Sequence, residues 1–152
     1  MDLDYYTNLS FWFNLVCIAL ASAMHILRRL PTISASLAMV ACVNAALVGL
    51  MGSVVLCLHE SCSRKTMMNN AVAHALPLFV AAVLLRRWPW AQPDLCLTVG
   101  ILLCFGLGYM CVPDSAGKVG LDKIARAYKF RRPMPWFAGM LGAGVGIAYV
   151  LR

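Results

Sequence analysis

Five long stretches of this chain contain no charged residue. Asp, Glu, Lys and Arg are absent from residues 5–27, 33–58, 66–85, 95–113 and 133–151. An α-helix rises about 1.5 Å per residue, so about 20 apolar residues span the hydrocarbon core of a bilayer. The whole chain is 62% hydrophobic and only 12% charged, which is outside the range of water-soluble domains. The sequence therefore predicts an integral, multi-pass membrane protein.

An all-α bundle in a single domain, residues 1–152, is the fold expected from these stretches. We expect five transmembrane helices, at about 7–27, 33–58, 67–85, 94–112 and 135–151. The connections between the first four are short, which makes consecutive helices antiparallel neighbours. The first and third helices should therefore begin on the same side of the membrane.

One longer connection separates the last two predicted spans and contains the stretch "GLDKIARAYKF". Helical spacing places Leu121, Ile124 and Tyr128 on one stripe. The charged residues of the stretch lie off that stripe: Asp122, Lys123, Arg126 and Lys129. This pattern predicts an amphipathic helix at about 119–130, lying in the membrane interface. A solvated basic loop is the alternative.

The net charge of +7 comes from basic residues clustered at helix ends. The clusters are Arg28/Arg29, Arg64/Lys65, Arg86/Arg87 and Arg131/Arg132. Membrane proteins place basic residues in this way against lipid phosphates, so we expect membrane lipids as partners and no nucleic acid. Acidic Asp2 and Asp4 ahead of the first basic loop favour a non-cytoplasmic N-terminus. They also favour a first helix that stays as an anchor instead of being cleaved.

The seven cysteines follow no metal-binding spacing, and we expect neither a metal nor an organic cofactor. Three of them, Cys57, Cys62 and Cys111, should fall near one membrane face, where a disulfide could form if that face is lumenal. Sequence does not determine which two of them would pair.

Glycines are concentrated in the last two predicted spans. They are Gly100, Gly106 and Gly108, then Gly139, Gly142, Gly144 and Gly146. Small residues at this density permit close approach of helix backbones. This predicts tight packing within the chain, in a homo-oligomer or in a larger membrane complex.

Polar side chains inside the predicted spans are costly and need a reason. The first span carries Thr7, Asn8, Ser10 and Asn14, the second Asn44, the third Asn69, Asn70 and His74, and the fourth Thr98. Asn70 and His74 are one turn apart, so the amide could orient the imidazole. Thr7 and Asn14 share a face of the first helix two turns apart.

A hydroxyl beside an imidazole is the minimum for nucleophilic catalysis. Because the first and third helices begin on the same side, Thr7, Ser10 and His74 should lie at similar depth. Asn8, Asn14 or Asn70 could then donate hydrogen bonds to an oxyanion. The competing interpretation is structural, with Thr7 as a helix N-cap and His74 as a hydrogen-bonded packing residue.

The segments that carry these residues resemble a known family. "YYTNLSFWFNL", then "MMNNAVAHALPLFVAAVLLRRWP" and "LTVGILLCFGLGYM", is similar to the androgen-induced and androgen-dependent membrane hydrolases and their bacterial relatives. Those proteins have six helices and cleave esters of fatty acids with hydroxy fatty acids. The resemblance implies Thr7 as the nucleophile, His74 as its partner and Asn70 as the preceding asparagine.

The resemblance therefore leads to an expected function in lipid metabolism. The chain would be an intramembrane hydrolase of lipid esters with a threonine nucleophile and a histidine base. An accessory subunit of a membrane complex is the main alternative, in which the polar residues only bridge helices. A small channel or transporter is a third, but no intramembrane carboxylate or filter sequence supports it.

Overall fold

The fold is helical throughout the part of the chain that the structure describes. The structure is a computed structural model, and it describes residues 6–51, 64–88 and 91–128. The helices are α1 (Tyr6–Ile26), α2 (Pro31–Ala45), α3 (Arg64–Arg87), α4 (Leu95–Cys111) and α5 (Gly120–Tyr128), and α2 continues into a π-helical segment (Ala46–Met51). No strand occurs within these ranges, which confirms the all-α prediction.

The observed helix bounds lie close to those expected from hydropathy. α1, α3, α4 and α5 each begin and end within three residues of the expected positions. The expected end of the second span at residue 58 lies outside the described residues. The helix expected at 135–151 and the cysteines Cys57 and Cys62 also lie outside them. Cys111, the third cysteine of that group, is exposed at the end of α4.

Helix α2 occupies the centre of the bundle. It packs against α1, α3 and α4, and every residue from Ser34 to Ala46 is buried. Small side chains make this possible, because they let three neighbouring helices approach one backbone closely. The alanines among them are Ala35, Ala38, Ala41, Ala45 and Ala46.

Hydrogen bonds tie α2 to two neighbouring helices. The Ser34 hydroxyl donates to the carbonyl of Ala21 on α1 at 2.7 Å. The Ser36 hydroxyl accepts from the backbone N–H of Asp94 at 2.8 Å, and Asp94 is the N-cap of α4. The Asp94 carboxylate accepts from Leu97 N–H at 2.7 Å, an ordinary N-cap bond. The start of α4 is therefore fixed beside the first turns of α2.

Helices α1 and α3 run in the same direction, because their C-terminal ends meet. The ring of His25, in the last turn of α1, stacks on the ring of Trp88, which directly follows α3. The ring centroids are 4.0 Å apart and the planes differ by 22°. Ala21 and Ala81 lie in the same buried cluster further into the bundle. This is the parallel arrangement that short connections predict.

Lys123 of α5 lies inside the protein, which corrects the sequence interpretation that placed it on a polar outer face. Its ammonium donates to the carbonyls of Tyr109 and Val112, at 3.0 and 2.9 Å, and lies 3.9 Å from the centroid of the Tyr109 ring. These carbonyls belong to the C-terminal end of α4, where a cation is favoured by the helix dipole. Lys123 therefore fixes α5 against α4.

Asp114 organises the connection between α4 and α5. Its Oδ1 accepts from the backbone N–H groups of Ala116 and Lys118, at 2.9 and 2.8 Å, and its Oδ2 accepts from Arg126 Nε at 2.6 Å. Burial alone would raise the pKa of this carboxyl, but the hydrogen bonds from Lys118, Arg126 and Ala116 and the Arg126 charge lower it below 3.8.

Among residues 6–51, 64–88 and 91–128, two helical segments are long and apolar enough to cross a membrane. These segments are Leu9–Ile26 of α1 and Pro31–Val48, which comprises α2 and the start of the π-helical segment. α4 is apolar but shorter.

The Asp114 cluster predicts a loss of stability in acid. Because the folded-state pKa is below the ordinary value of 3.8, the ionised carboxylate stabilises the fold above 3.8, and this contribution is lost as the pH falls through the lower folded pKa. We expect Asp114→Asn to lower the thermal midpoint in mild detergent at neutral pH and to reduce its fall on acidification.

Asp122 provides a matched control for this experiment. It is an exposed carboxylate on α5, close in sequence to the Arg126 partner of Asp114. Asp122→Asn should leave both the neutral thermal midpoint and its pH dependence near those of the parent protein. Equal behaviour of the two variants would contradict the role assigned to Asp114.

Candidate functional site

A cluster of three polar side chains lies between α1 and α2. The Asn44 amide Nδ2 donates to Ser10 Oγ at 2.7 Å and to Asn14 Oδ1 at 2.8 Å. Ser10 and Asn14 are one turn apart, so they face the same position on α2. All three side chains are buried. Asn44 therefore joins two sequence-predicted site residues into one hydrogen-bonded group.

Asn14 keeps an unused hydrogen-bond donor in this cluster. Its Oδ1 accepts from Asn44, which fixes the orientation of the amide plane. Its Nδ2 is fully buried and has no hydrogen-bond partner among the described residues. A buried amide donor without an acceptor costs about 1 to 3 kcal/mol, so it would bind a carbonyl or an oxyanion readily.

His74 is buried on α3, with 2% of its surface exposed. Pro77 follows it within the same helix and is also buried. A proline has no N–H, so the usual helical bond to the carbonyl of Ala73 is missing beside the histidine. The imidazole thus lies in the interior next to a locally loosened helix backbone.

The parallel helices place His74 at the depth of the polar cluster. His74 is 14 residues before Trp88, a separation of about 21 Å along α3. The same distance back from His25 along α1 reaches Phe11, which lies between Ser10 and Asn14 in sequence. Position 7 is one further turn, about 6 Å, toward the start of α1. The histidine and the cluster therefore lie at the same level of the bundle.

Three of the predicted site residues have side chains outside the described part of the structure. Thr7 and Asn8 belong to the first turn of α1, and Asn70 lies one turn before His74 on α3. Their backbone positions are helical, as expected. The pairing of the Thr7 hydroxyl with the His74 ring stays a prediction, and so do the roles of Asn8 and Asn70.

The part that Asn44 plays in this cluster was not predicted. This asparagine is the polar residue expected in the second span, and its sequence position alone did not connect it with the site. Its signal is the stretch "ACVNAAL", an amide within an otherwise apolar segment. Only the register between α1 and α2 reveals that it meets Ser10 and Asn14 together.

The chemistry open to this group is that of hydroxyls, amides and an imidazole. Within the described ranges, no group of three or more His, Cys, Asp and Glu residues is arranged to hold a metal ion. The described cysteines are free thiols. These side chains can transfer protons, and they can stabilise a developing charge by hydrogen bonding.

Comparisons with known proteins give no family assignment. No protein-family model, no curated protein and no solved structure matches the chain.

The hydrogen bonds of Asn44 lead to a stability prediction. Asn44→Ala removes the amide that donates to Ser10 and Asn14, so the buried acceptors Ser10 Oγ and Asn14 Oδ1 lose this hydrogen bond. We expect the free energy of unfolding, measured with sodium dodecyl sulfate in mixed micelles, to fall by about 1 to 2 kcal/mol. Asn69, an exposed asparagine on α3, is the control, and Asn69→Ala should change it by less than about 0.5 kcal/mol. Similar values for both variants would show that the cluster contributes nothing.

Proposed function

We propose that the chain is a multi-pass membrane protein. The arrangement of side chains on α1 supports this, because the outward face carries the large apolar residues Trp12, Val16 and Leu20. The inward face of the same helix carries smaller or polar residues, including Ser10 and Asn14. A water-soluble helix has the opposite arrangement, with its apolar stripe toward the core.

Helix α3 repeats this arrangement. Val72, Leu76 and Phe79 are exposed, whereas His74 and Ala81 are buried. Large apolar faces in contact with water would be strongly unfavourable, but in contact with lipid acyl chains they cost nothing. The buried polar side chains Ser10, Asn14 and His74 are then withdrawn from lipid into the interior of the bundle, as intramembrane polar residues require.

Within this bundle, we infer a hydrolase that cleaves fatty-acid esters. The observation that carries the inference is the buried Asn14 donor, held in place by Asn44 at the level of His74. A buried amide donor and a buried imidazole at the same level of the bundle supply two of the three groups that an acyl-transfer site needs. The hydroxyl nucleophile would be Thr7, whose position shares a helix face with Ser10 and Asn14.

The reaction would proceed in two steps, acylation of Thr7 and hydrolysis of the acyl-threonine. Neutral His74 accepts the hydroxyl proton of Thr7 as the oxygen attacks the ester carbonyl, and Asn14 Nδ2 donates to the oxyanion. The ester C–O bond breaks and the leaving alcohol takes the proton from the imidazolium. Water then attacks the acyl-threonine by the same route, which releases the fatty acid and restores the hydroxyl.

Substitution of the proposed nucleophile and base tests this function. Thr7→Ala and His74→Ala should each abolish hydrolysis of a fluorogenic fatty-acid ester and covalent labelling by a serine/threonine hydrolase probe. The double variant should lose little more, because members of one catalytic unit are strongly non-additive. Thr7→Ser should keep part of the activity, since the hydroxyl remains.

Thr32 is the matched control for the threonine. It is an exposed threonine in the first turn of α2, where Thr32→Ala should leave turnover unchanged. If Thr7 is only a helix cap, Thr7→Ala should cost about 1 kcal/mol of stability and preserve turnover. A folded Thr7→Ala protein that hydrolyses the ester at the parent rate would refute the catalytic role.

A second candidate function is an accessory subunit of a membrane complex, and the surface of α4 favours it. A methyl group added at Gly100, Gly106 or Gly108 would meet no atom within 4 Å among the described residues. Leu103 and Leu107 on the same helix are exposed. Migration as a large, stable assembly on blue-native gels, together with no ester hydrolysis, would favour this function over the hydrolase.

A further inference from the structure

A cavity of about 440 Å³ opens at the end of the bundle where α1 turns into α2. Its lining combines a thioether, an imidazole, two guanidinium groups and a proline ring: Met24, His25, Arg28, Arg29 and Pro31. This cavity lies at the opposite end of α1 from Ser10 and Asn14. It therefore has no part in the proposed hydrolase site.

The backbone of this turn holds arginine where glycine is favoured. The N–H of Arg29 donates to the carbonyl of Met24 and the N–H of Arg28 to that of His25, at 2.9 and 3.0 Å. These two bonds form a Schellman motif, whose left-handed residue is usually glycine. Arg28 occupies that position with φ 50°, and Leu30 is left-handed as well with φ 46°.

A left-handed arginine is less favourable than a glycine at the same place, because its Cβ crowds the following carbonyl oxygen. The motif itself needs only the backbone, so the guanidinium contributes nothing to the turn. The position of this strained arginine at the wall of a cavity points to a further use for its side chain.

Other basic residues surround the same end of the bundle. Arg86 and Arg87 form the last turn of α3, directly before Trp88. The stacking of Trp88 on His25 fixes this turn beside the cavity and holds the imidazole in its wall. Asp94 is the one carboxylate placed at this end among the described residues, and it caps α4 through Leu97 N–H.

We propose that this cavity binds a phosphate group, as carried by an anionic phospholipid headgroup or by inorganic phosphate. Arg28 and Arg29 supply planar, charged donors that match phosphate oxygens in pairs. Met24 and Pro31 form an apolar wall suited to the glycerol and first methylene groups of a lipid. The volume admits a headgroup of that size.

Arg28→Gly separates this role from a structural one. Glycine is better suited to the left-handed position, so the variant should be at least as thermally stable as the parent in neutral detergent. Loss of the guanidinium should weaken the apparent affinity for phosphatidylglycerol about tenfold, the effect of one charged hydrogen bond. The readout is the rise in thermal midpoint as phosphatidylglycerol is titrated into the micelles.

Two further variants serve as a companion and a control. Arg29→Gln should weaken the response to phosphatidylglycerol by a similar factor and, unlike Arg28→Gly, has no reason to change the turn. Lys118→Gln removes one positive charge from the connection between α4 and α5, at the end of α4 that is far from the cavity. Because only a screened long-range attraction is lost, this variant should alter the apparent affinity for phosphatidylglycerol by less than about twofold.

Parallel titrations with phosphatidylcholine and with inorganic phosphate at constant ionic strength identify the source of the group. Stabilisation by phosphatidylglycerol alone that Arg28→Gly weakens supports the site with a lipid ligand. Stabilisation by inorganic phosphate that Arg28→Gly also weakens supports the site with a soluble ligand. No stabilisation by either, or an equal response of the parent, Arg28→Gly and Arg29→Gln proteins, overturns the proposal. Ester hydrolysis is not part of any arm, so the outcome is independent of the proposed catalytic function.

Discussion

The burial of α2 on all sides from Ser34 onward is the constraint on which the rest of the structure depends. A helix without an exposed face must satisfy its polar side chains inside the protein, so each one becomes a contact with a neighbour. Ser34 fixes the C-terminal part of α1, Ser36 fixes the start of α4, and Asn44 fixes Ser10 and Asn14 at the beginning of α1. Apolar packing alone would let α1 and α2 slide along each other. The hydrogen bonds of Ser34 and Asn44, at two separate levels of this helix pair, fix a single register.

The helices of this fold could be predicted from sequence because charge-free runs of suitable length have few alternatives. The side-chain contacts between these helices could not be predicted in the same way. A lysine in an amphipathic pattern is ordinarily solvated, and only the position of the α4 carbonyls explains why Lys123 is buried. Similarly, the sequence analysis included Ser10 and Asn14 among the candidate site residues, but the partner that joins them is 30 residues beyond Asn14 and depends on the α1–α2 register. Thr7, Asn8 and Asn70 stay sequence-based candidates.

The two ends of α1 have different physical character. The first end carries neutral polar groups enclosed by helices, where the low dielectric strengthens each hydrogen bond. The second end carries arginines exposed around an open cavity, where charge attracts ligands but is screened by salt. About 14 residues of helix, or roughly 21 Å, separate Phe11 from His25 at the two levels. Each end can therefore change chemically without rearranging the other, since the apolar contacts of Cys17 and Ala21 lie between them.

The polar groups of α3 have a consequence for how the protein is made. A segment that carries Asn69, Asn70 and His74 partitions into lipid less favourably than α1 or α2 does, because each amide or imidazole loses water on entry. In the multi-pass arrangement proposed above, α1 and α2 would emerge first during synthesis, and a hairpin of the two would already contain the Ser10–Asn44–Asn14 group. The third segment would then enter the bilayer beside a polar surface instead of bare acyl chains. The order of the helices along the chain would thus match the order in which a membrane can accept them.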